Sequence, residues 1–254
     1  MMSRKVKTSL LALMIALVSI TTATIAWFTI ADNTRLRGMG MDITSGQSLR
    51  FDLDPHEKYE DYVKSLGFDA ICARILKDMG IDFTEKMLEP VTTSDCKIFM
   101  YEKGLEVDPY SGDYMEYTLH FIADHDMNVH ITSLSGKGDD IGTLIESDNE
   151  NLKNAMRIAF VSDDGAVVYD PGLEKESETV GNIRYFTIPN AEKMVYNDKN
   201  ALFKVKAGED KPVRVFVWIE GTDEACNNEL KGTDYSIRMR FEGTDENYEP
   251  FARK

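Results

Sequence analysis

Apolar residues return at every second position in one short run after another along most of this chain. Met39, Met41 and Ile43 alternate with Gly40, Asp42 and Thr44, and Leu49, Phe51 and Leu53 alternate with Arg50 and Asp52. A period of two places alternate side chains on one face, so each run reads as a strand with a buried side. Further strands are predicted at 98–101, 117–123, 129–134, 157–161, 166–169, 183–188, 201–205, 213–220 and 235–241. Ser45 to Ser48 is the expected turn between the first two strands, and Asp163-Asp164-Gly165 marks a hairpin. The run VRVFVWIE is the most apolar and is predicted to be central. Phe216 and Trp218 share one of its faces, and Val215, Val217 and Ile219 share the other, so both faces read as core. No strand–helix–strand alternation appears. The expectation is a mainly β fold, an antiparallel jelly-roll-like β-sandwich with a few short helices.

Helical spacing enters in two places. Between residues 57 and 80, Tyr59, Tyr62, Val63 and Leu66 and then Ile71, Ile75, Leu76 and Met79 recur at three and four. That predicts two short helices broken near Gly67 and stopped at Gly80, forming an insertion packed on a sheet. Residues 148–156 predict a short helix with Asp148 as N-cap and Leu152 and Met156 on one face. Residues 171–182 are acidic and read as loop.

The first thirty residues carry an address rather than a fold. Arg4, Lys5 and Lys7 precede Leu10 to Ala31, a run with no charged side chain. A basic head and an apolar stretch form an export signal. Thr24 and Ala26 supply the small side chains needed for a cut between Ala26 and Trp27, and Thr29 and Ala31 supply a second option before Asp32. The same run just reaches the length of an uncut membrane anchor with its basic end in the cytoplasm. Under either fate, residues 27–254 are expected to form an extracellular domain.

The chain carries a formal charge of −15, and residues 1–26 hold three basic and no acidic side chains, so the exported part is near −18. Such a charge repels nucleic acid and anionic surfaces. Membrane contact is then expected only through an uncut N-terminal segment. Cys72, Cys96 and Cys226 are too few for a disulfide-built scaffold and leave at least one thiol unpaired. One disulfide is allowed, and the spacing selects no pair.

Chemistry concentrates in one stretch. His120, Asp124, His125, Asp126 and His130 gather three of the four histidines with two aspartates, all of them first-row metal ligand types. They are the candidates for zinc or calcium, and no other cofactor is predicted. HExxH is absent, and the calcium-loop start at Asp124, Asp126 and Asn128 meets Val129 and Ser135 where Gly and Glu are required. The plainer reading is a solvated turn between two strands that each carry a histidine. No GxSxG elbow occurs. Cys72 lies in an apolar helical context, and Cys226 sits among acidic residues that disfavour a thiolate. No catalytic residue is assigned, and a non-enzymatic protein is expected.

Three stretches together point to a family: the signal ending ATIAWF, the segment NLKNAMRIAFVSDDG, and the closing pair VRVFVWIEGTDEAC and YSIRMRFEG. They resemble the TasA/camelysin-like exported proteins of Gram-positive bacteria, whose signals are cut by a SipW-type signal peptidase. The resemblance implies a jelly-roll-like sandwich, secreted and held at the cell surface or in the biofilm extracellular matrix. In fibre-forming members, an N-terminal segment of one subunit completes the sheet of the next. Here that donor would begin at Trp27 to Asn33 and extend to Ile43. Signal peptidase and further copies of the chain are then the implied partners. A camelysin-like surface metallopeptidase and a monomeric surface adhesion module are the alternatives.

Overall fold

In a computed structural model of the protein, residues 35–43, 48–133, 142–188, 194–227, 230 and 233–251 are described. The export segment with Ala26 and Trp27, and the donor start at 27–33, lie outside them. Strand β1 is Arg35–Ile43, β2 is Leu49–Asp52, and β3 is Ser65–Gly67. Helix α1 (Phe68–Met79) and β4 (Pro90–Val91) precede β5 (Met115–Ala123), β6 (Met127–Ile131) and β7 (Leu144–Ser147). Helix α2 (Glu150–Ala155) runs into β8 (Met156–Ser162), followed by β9 (Gly165–Tyr169), β10 (Ser177–Val180) and β11 (Ile183–Phe186). β12 (Phe203–Val205), β13 (Lys211–Glu220) and β14 (Asp234–Thr244) complete the chain.

The strands form two sheets, and the protein is a β-sandwich. One sheet has the order β12-β6-β14-β1-β3, with β7 also paired to β14. The other has the order β10-β11-β9-β8-β13-β5-β2, with β4 added at the end of β13. Pairing is mostly antiparallel. The parallel exceptions are β1 on β14, β11 on β9 and β4 on β13.

The core between the sheets follows from the alternation. β1 sends in Met39, Met41 and Ile43, β13 sends in Val213, Val215, Val217 and Ile219, and β14 sends in Ile237, Met239 and Phe241. Phe51, Phe121, Phe203 and Phe241 pack as a ring cluster with centroids 4.8–5.7 Å apart, within the range of favourable edge and tilted contacts. The opposite face of β13 meets a second core. Residues 91–114 fold across it, stacking Phe99 on Tyr114 at 3.9 Å and setting Phe99 edge-on to Trp218 at 5.5 Å. β13 is therefore buried on both faces and lies inside its sheet, as its composition predicts.

Several expectations need correction. β1 and β2 lie in opposite sheets, so they are not a hairpin across 45–48. The region 57–80 contains one α-helix, not two. Residues 59–61 form a 3-10 turn and 65–67 a strand. Tyr59, Tyr62, Val63 and Leu66 mimic a helical face by spacing, yet Val63 pairs with Phe51 as an isolated β-bridge. Helix α1 then starts after Gly67, buries Ile71, Cys72 and Ile75, and stops at Gly80, whose φ of 73° is the left-handed cap geometry that glycine adopts at least cost. Asn149, not Asp148, caps α2 by accepting the Asn151 N–H. Residues 177–180 form a strand where acidity suggested loop. Residues 98–101 contribute two isolated bridges through Met100, to Thr92 and to Glu106, rather than a strand. The second arm of the histidine stretch is 127–131 rather than 129–134, and Leu134 lies outside the described residues.

Candidate functional site

β1 is the first described strand of the chain, and it fills a slot. It runs parallel to β14 from Arg35↔Asp234 to Ile43↔Phe241, with one irregularity between Leu36 and Gly38. The other side of β14 is taken by β7 and β6. Among the described residues, the far edge of β1 is met by β3, through Gly40, Met41 and Asp42, and by Lys64 just before it. Its inward side chains are thoroughly buried, with Met41 0% and Met39 3% exposed. The Tyr117 hydroxyl points at their sulfurs, 3.4 Å from Met39 Sδ and 3.8 Å from Met41 Sδ. Burial alone drives the Tyr117 phenol far above its ordinary pKa, so it stays protonated and a donor. Withdrawing β1 would open the edge of β14 along 234–241 and uncover the core beneath.

The histidine stretch does not converge. β5 and β6 belong to different sheets, so residues 124–126 form an arch between layers rather than a hairpin. His120 places Nδ1 2.8 Å from Asp210 Oδ2. Asp124 and His125 pair with each other in the arch at 3.1 Å, both about half exposed. Asp126 accepts the Ala207 N–H at 2.9 Å, and Asn128 donates to the Asp245 carbonyl at 2.8 Å. Among the described residues, no group of three or more His, Cys, Asp or Glu side chains is placed to hold a metal ion.

His130 is wholly buried. Asn200 donates its Nδ2 to the Val195 carbonyl and accepts the Asn197 N–H at Oδ1, which fixes the orientation of the amide. His130 Nδ1, 2.9 Å from that Oδ1, must therefore carry the proton, and Nε2 accepts from the Thr244 hydroxyl at 3.1 Å. Burial lowers its pKa to about 4. It is a neutral structural bridge between β6, the 194–202 segment and the end of β14.

Two polar networks were not visible in the sequence. Asp210 accepts a 2.7 Å hydrogen bond from the Tyr62 hydroxyl while holding His120, and the same hydroxyl accepts the His56 N–H at 3.0 Å. His56 Nε2 stands 3.2 Å from Asp52. Elsewhere Arg157 holds Asp170 at 3.1 Å and Asp223, tying β8 to the end of β9 and to the segment after β13. Burial, opposed by Arg157, pushes the Asp170 carboxyl up to about 6. Residues separated by 148 and 90 positions, as Tyr62 and His120 are from Asp210, leave no local signal.

No thiol is set up as a nucleophile. Cys72, Cys96 and Cys226 are all unpaired. Burial raises Cys72 and Cys96 to about 12, and burial with Asp223 and Glu220 raises Cys226 to about 11. A cleft of about 650 Å3 beside the arch is lined by Asp126, Asp163, Asp164, Lys204, Lys211 and Tyr248. Asp163 and Asp164 are engaged already: Lys211 bridges the two, and the Lys204 N–H donates to Asp164. No helix among the described residues is long and apolar enough to cross a membrane. No family model, curated protein or solved structure matches the chain.

Proposed function

We propose that this is a secreted, cell-surface structural protein of a Gram-positive extracellular matrix, which assembles into fibres by exchanging its N-terminal strand. The resemblance to the TasA/camelysin-like exported proteins supplies the setting. The observation that carries the reading is the position of β1. It is the first of the described strands, it joins its sheet through a parallel pairing to the last of them, and it plugs a slot lined by Tyr117 and β14. An identical strand from a second copy would satisfy the same backbone groups and fill the same pocket. Such a contact is head-to-tail and does not close, so it propagates.

The test is processing followed by assembly. Protein recovered from supernatant and cell surface should begin at Trp27 or Asp32 and sediment as high-mass material that denaturant disperses. A variant lacking residues 27–43 should stay monomeric. Polymerisation of that variant would rule the mechanism out.

The fact that β1 already completes its own sheet favours a second reading, a monomeric surface adhesion module. Intact Met1 or Met2 in the membrane fraction, with a monomeric ectodomain, would bring that reading forward. The separation of His120 from His130 across the two sheets lends the metallopeptidase alternative no support.

A further inference from the structure

We infer that residues 53–67 are a latch that keeps β1 in its own sheet and sets how often it leaves. The segment crosses from the edge of one sheet to the edge of the other. It leaves β2, pairs back on it through Phe51 and Val63 in both directions at 3.0 Å, and ends as β3 against β1. The Lys64 carbonyl accepts the Ile43 N–H at 3.0 Å, so the hold on β1 begins before β3 itself. β3 is three residues long, too short to hold a strand by its own ladder. What holds β3 must lie elsewhere in the segment.

It lies in a row of side-chain clasps. Tyr62, 1% exposed, donates to Asp210, and His120 grips the other oxygen of that carboxylate. Arg50 donates to the carbonyls of Glu60 and Tyr62 at 3.1 and 3.0 Å, with its guanidinium over the Tyr59 ring. The Tyr59 hydroxyl donates to the Ser48 carbonyl at 2.7 Å. At the near end Arg74, on α1, donates to the Leu53 carbonyl and to Asp54, both at 2.6 Å. α1 continues directly from β3 and is anchored in the core by Ile71 and Ile75. Among the described residues, the side chains that secure this cover come from β2, β5, α1 and the 206–210 turn. Loosening the cover frees the outer edge of β1 and leaves the rest of the sandwich intact.

The latch itself is a property of the monomer, and its role in assembly rests on the strand-exchange reading above. Two variants separate these. Tyr62→Phe keeps the ring and removes the hydroxyl that joins Asp210 to the strap. In full-length processed protein it should speed tryptic cleavage after Arg37, within β1, by about tenfold, the effect of losing one charge-assisted hydrogen bond. Cleavage after Arg238, within β14, should not change. Equal acceleration at both sites would mean global destabilisation and would overturn the latch, as would no change at Arg37. The second variant is Gly40→Cys with Gly67→Cys, cross-strand partners at which an added Cβ meets no heavy atom within 4 Å. Oxidised, it should resist cleavage after Arg37 at least tenfold better than when reduced, and it should not polymerise until reductant is added. Oxidised protein that is cut as fast as reduced protein would overturn the latch. If Tyr62→Phe speeds cleavage but no form ever polymerises, the latch stands and the assembly reading falls.

Discussion

β1 and β13 are both alternating strands with fully buried side chains, yet they are held very differently. β13 is flanked along its length by β5 and β8 and is covered on both faces, by the opposite sheet and by residues 91–114. β1 has one long neighbour, in parallel, and on its other edge, among the described residues, the short β3 and Lys64 before it. Side-chain burial does not distinguish the two, since Met41 and Val215 are each 0% exposed. Backbone partnership does. A strand can contribute fully to the core and still be the piece most easily exchanged, because what binds it is a slot rather than a layer.

The largest expected effect lies in β13. Trp218→Ala should cost about 3–5 kcal/mol, the range for truncating a large buried aromatic, and should lower the urea midpoint of the whole domain. Met41→Ala should cost about 2–5 kcal/mol as well. If the comparison holds, much of that loss should appear as faster local opening of 35–43, with the β13 amides less affected. Uniform loss of protection in both strands would erase the distinction.

Next come two buried titrating groups with opposite signs. His130 titrates near 6.5 when unfolded and about 4 when folded, so between those values the unfolded chain binds more protons. Its contribution, on the order of 3 kcal/mol, is present above pH 6.5 and is lost as pH falls towards 4. Asp170 titrates at 3.8 when unfolded and about 6 when folded, so here the folded chain binds more protons. Its contribution is present below 3.8 and is lost as pH rises through 6, again on the order of 3 kcal/mol. The two should largely cancel between pH 4 and 6. Asp170→Asn should therefore make stability fall more steeply with acid over that window, read from urea midpoints at several pH values. An unchanged slope would contradict this assignment.

Removing the cap of α2 with Asn149→Ala should cost about 1 kcal/mol. The smallest expected change is Lys153→Ala, which breaks only the surface pair with Glu150 and should stay within about 0.5 kcal/mol. A large effect there would mean that α2 supports the sandwich more than its position suggests.

What could be read in the sequence divides along the same line. Apolar patterning identified β5, β13 and β14 and assigned the two faces of β13 correctly, because successive side chains of a strand point to opposite faces. Glycine chemistry identified the turn at 163–165 and the stop at Gly80. Alternation says nothing about neighbours, so the separation of β1 from β2 and of β5 from β6 into different sheets was not legible. The short polar strand β10 lacks an apolar period, and the strap imitated a helix because its few apolar residues fit either spacing. The histidine stretch was found as a cluster in sequence, but opposite sheets pull its ends apart. The partners that matter to His120, Asp210 and Tyr62, are distant in the chain.

Native-state hydrogen exchange of the processed monomer tests the central claim most directly. Amides of Met39 to Ile43 should exchange through a local opening at least tenfold more often than those of Val213 to Ile219, which should exchange only with global unfolding. Protection in β1 equal to that in β13, at every denaturant concentration, would show that β1 is as fixed as the centre of the sandwich and would contradict its proposed role as an exchangeable strand.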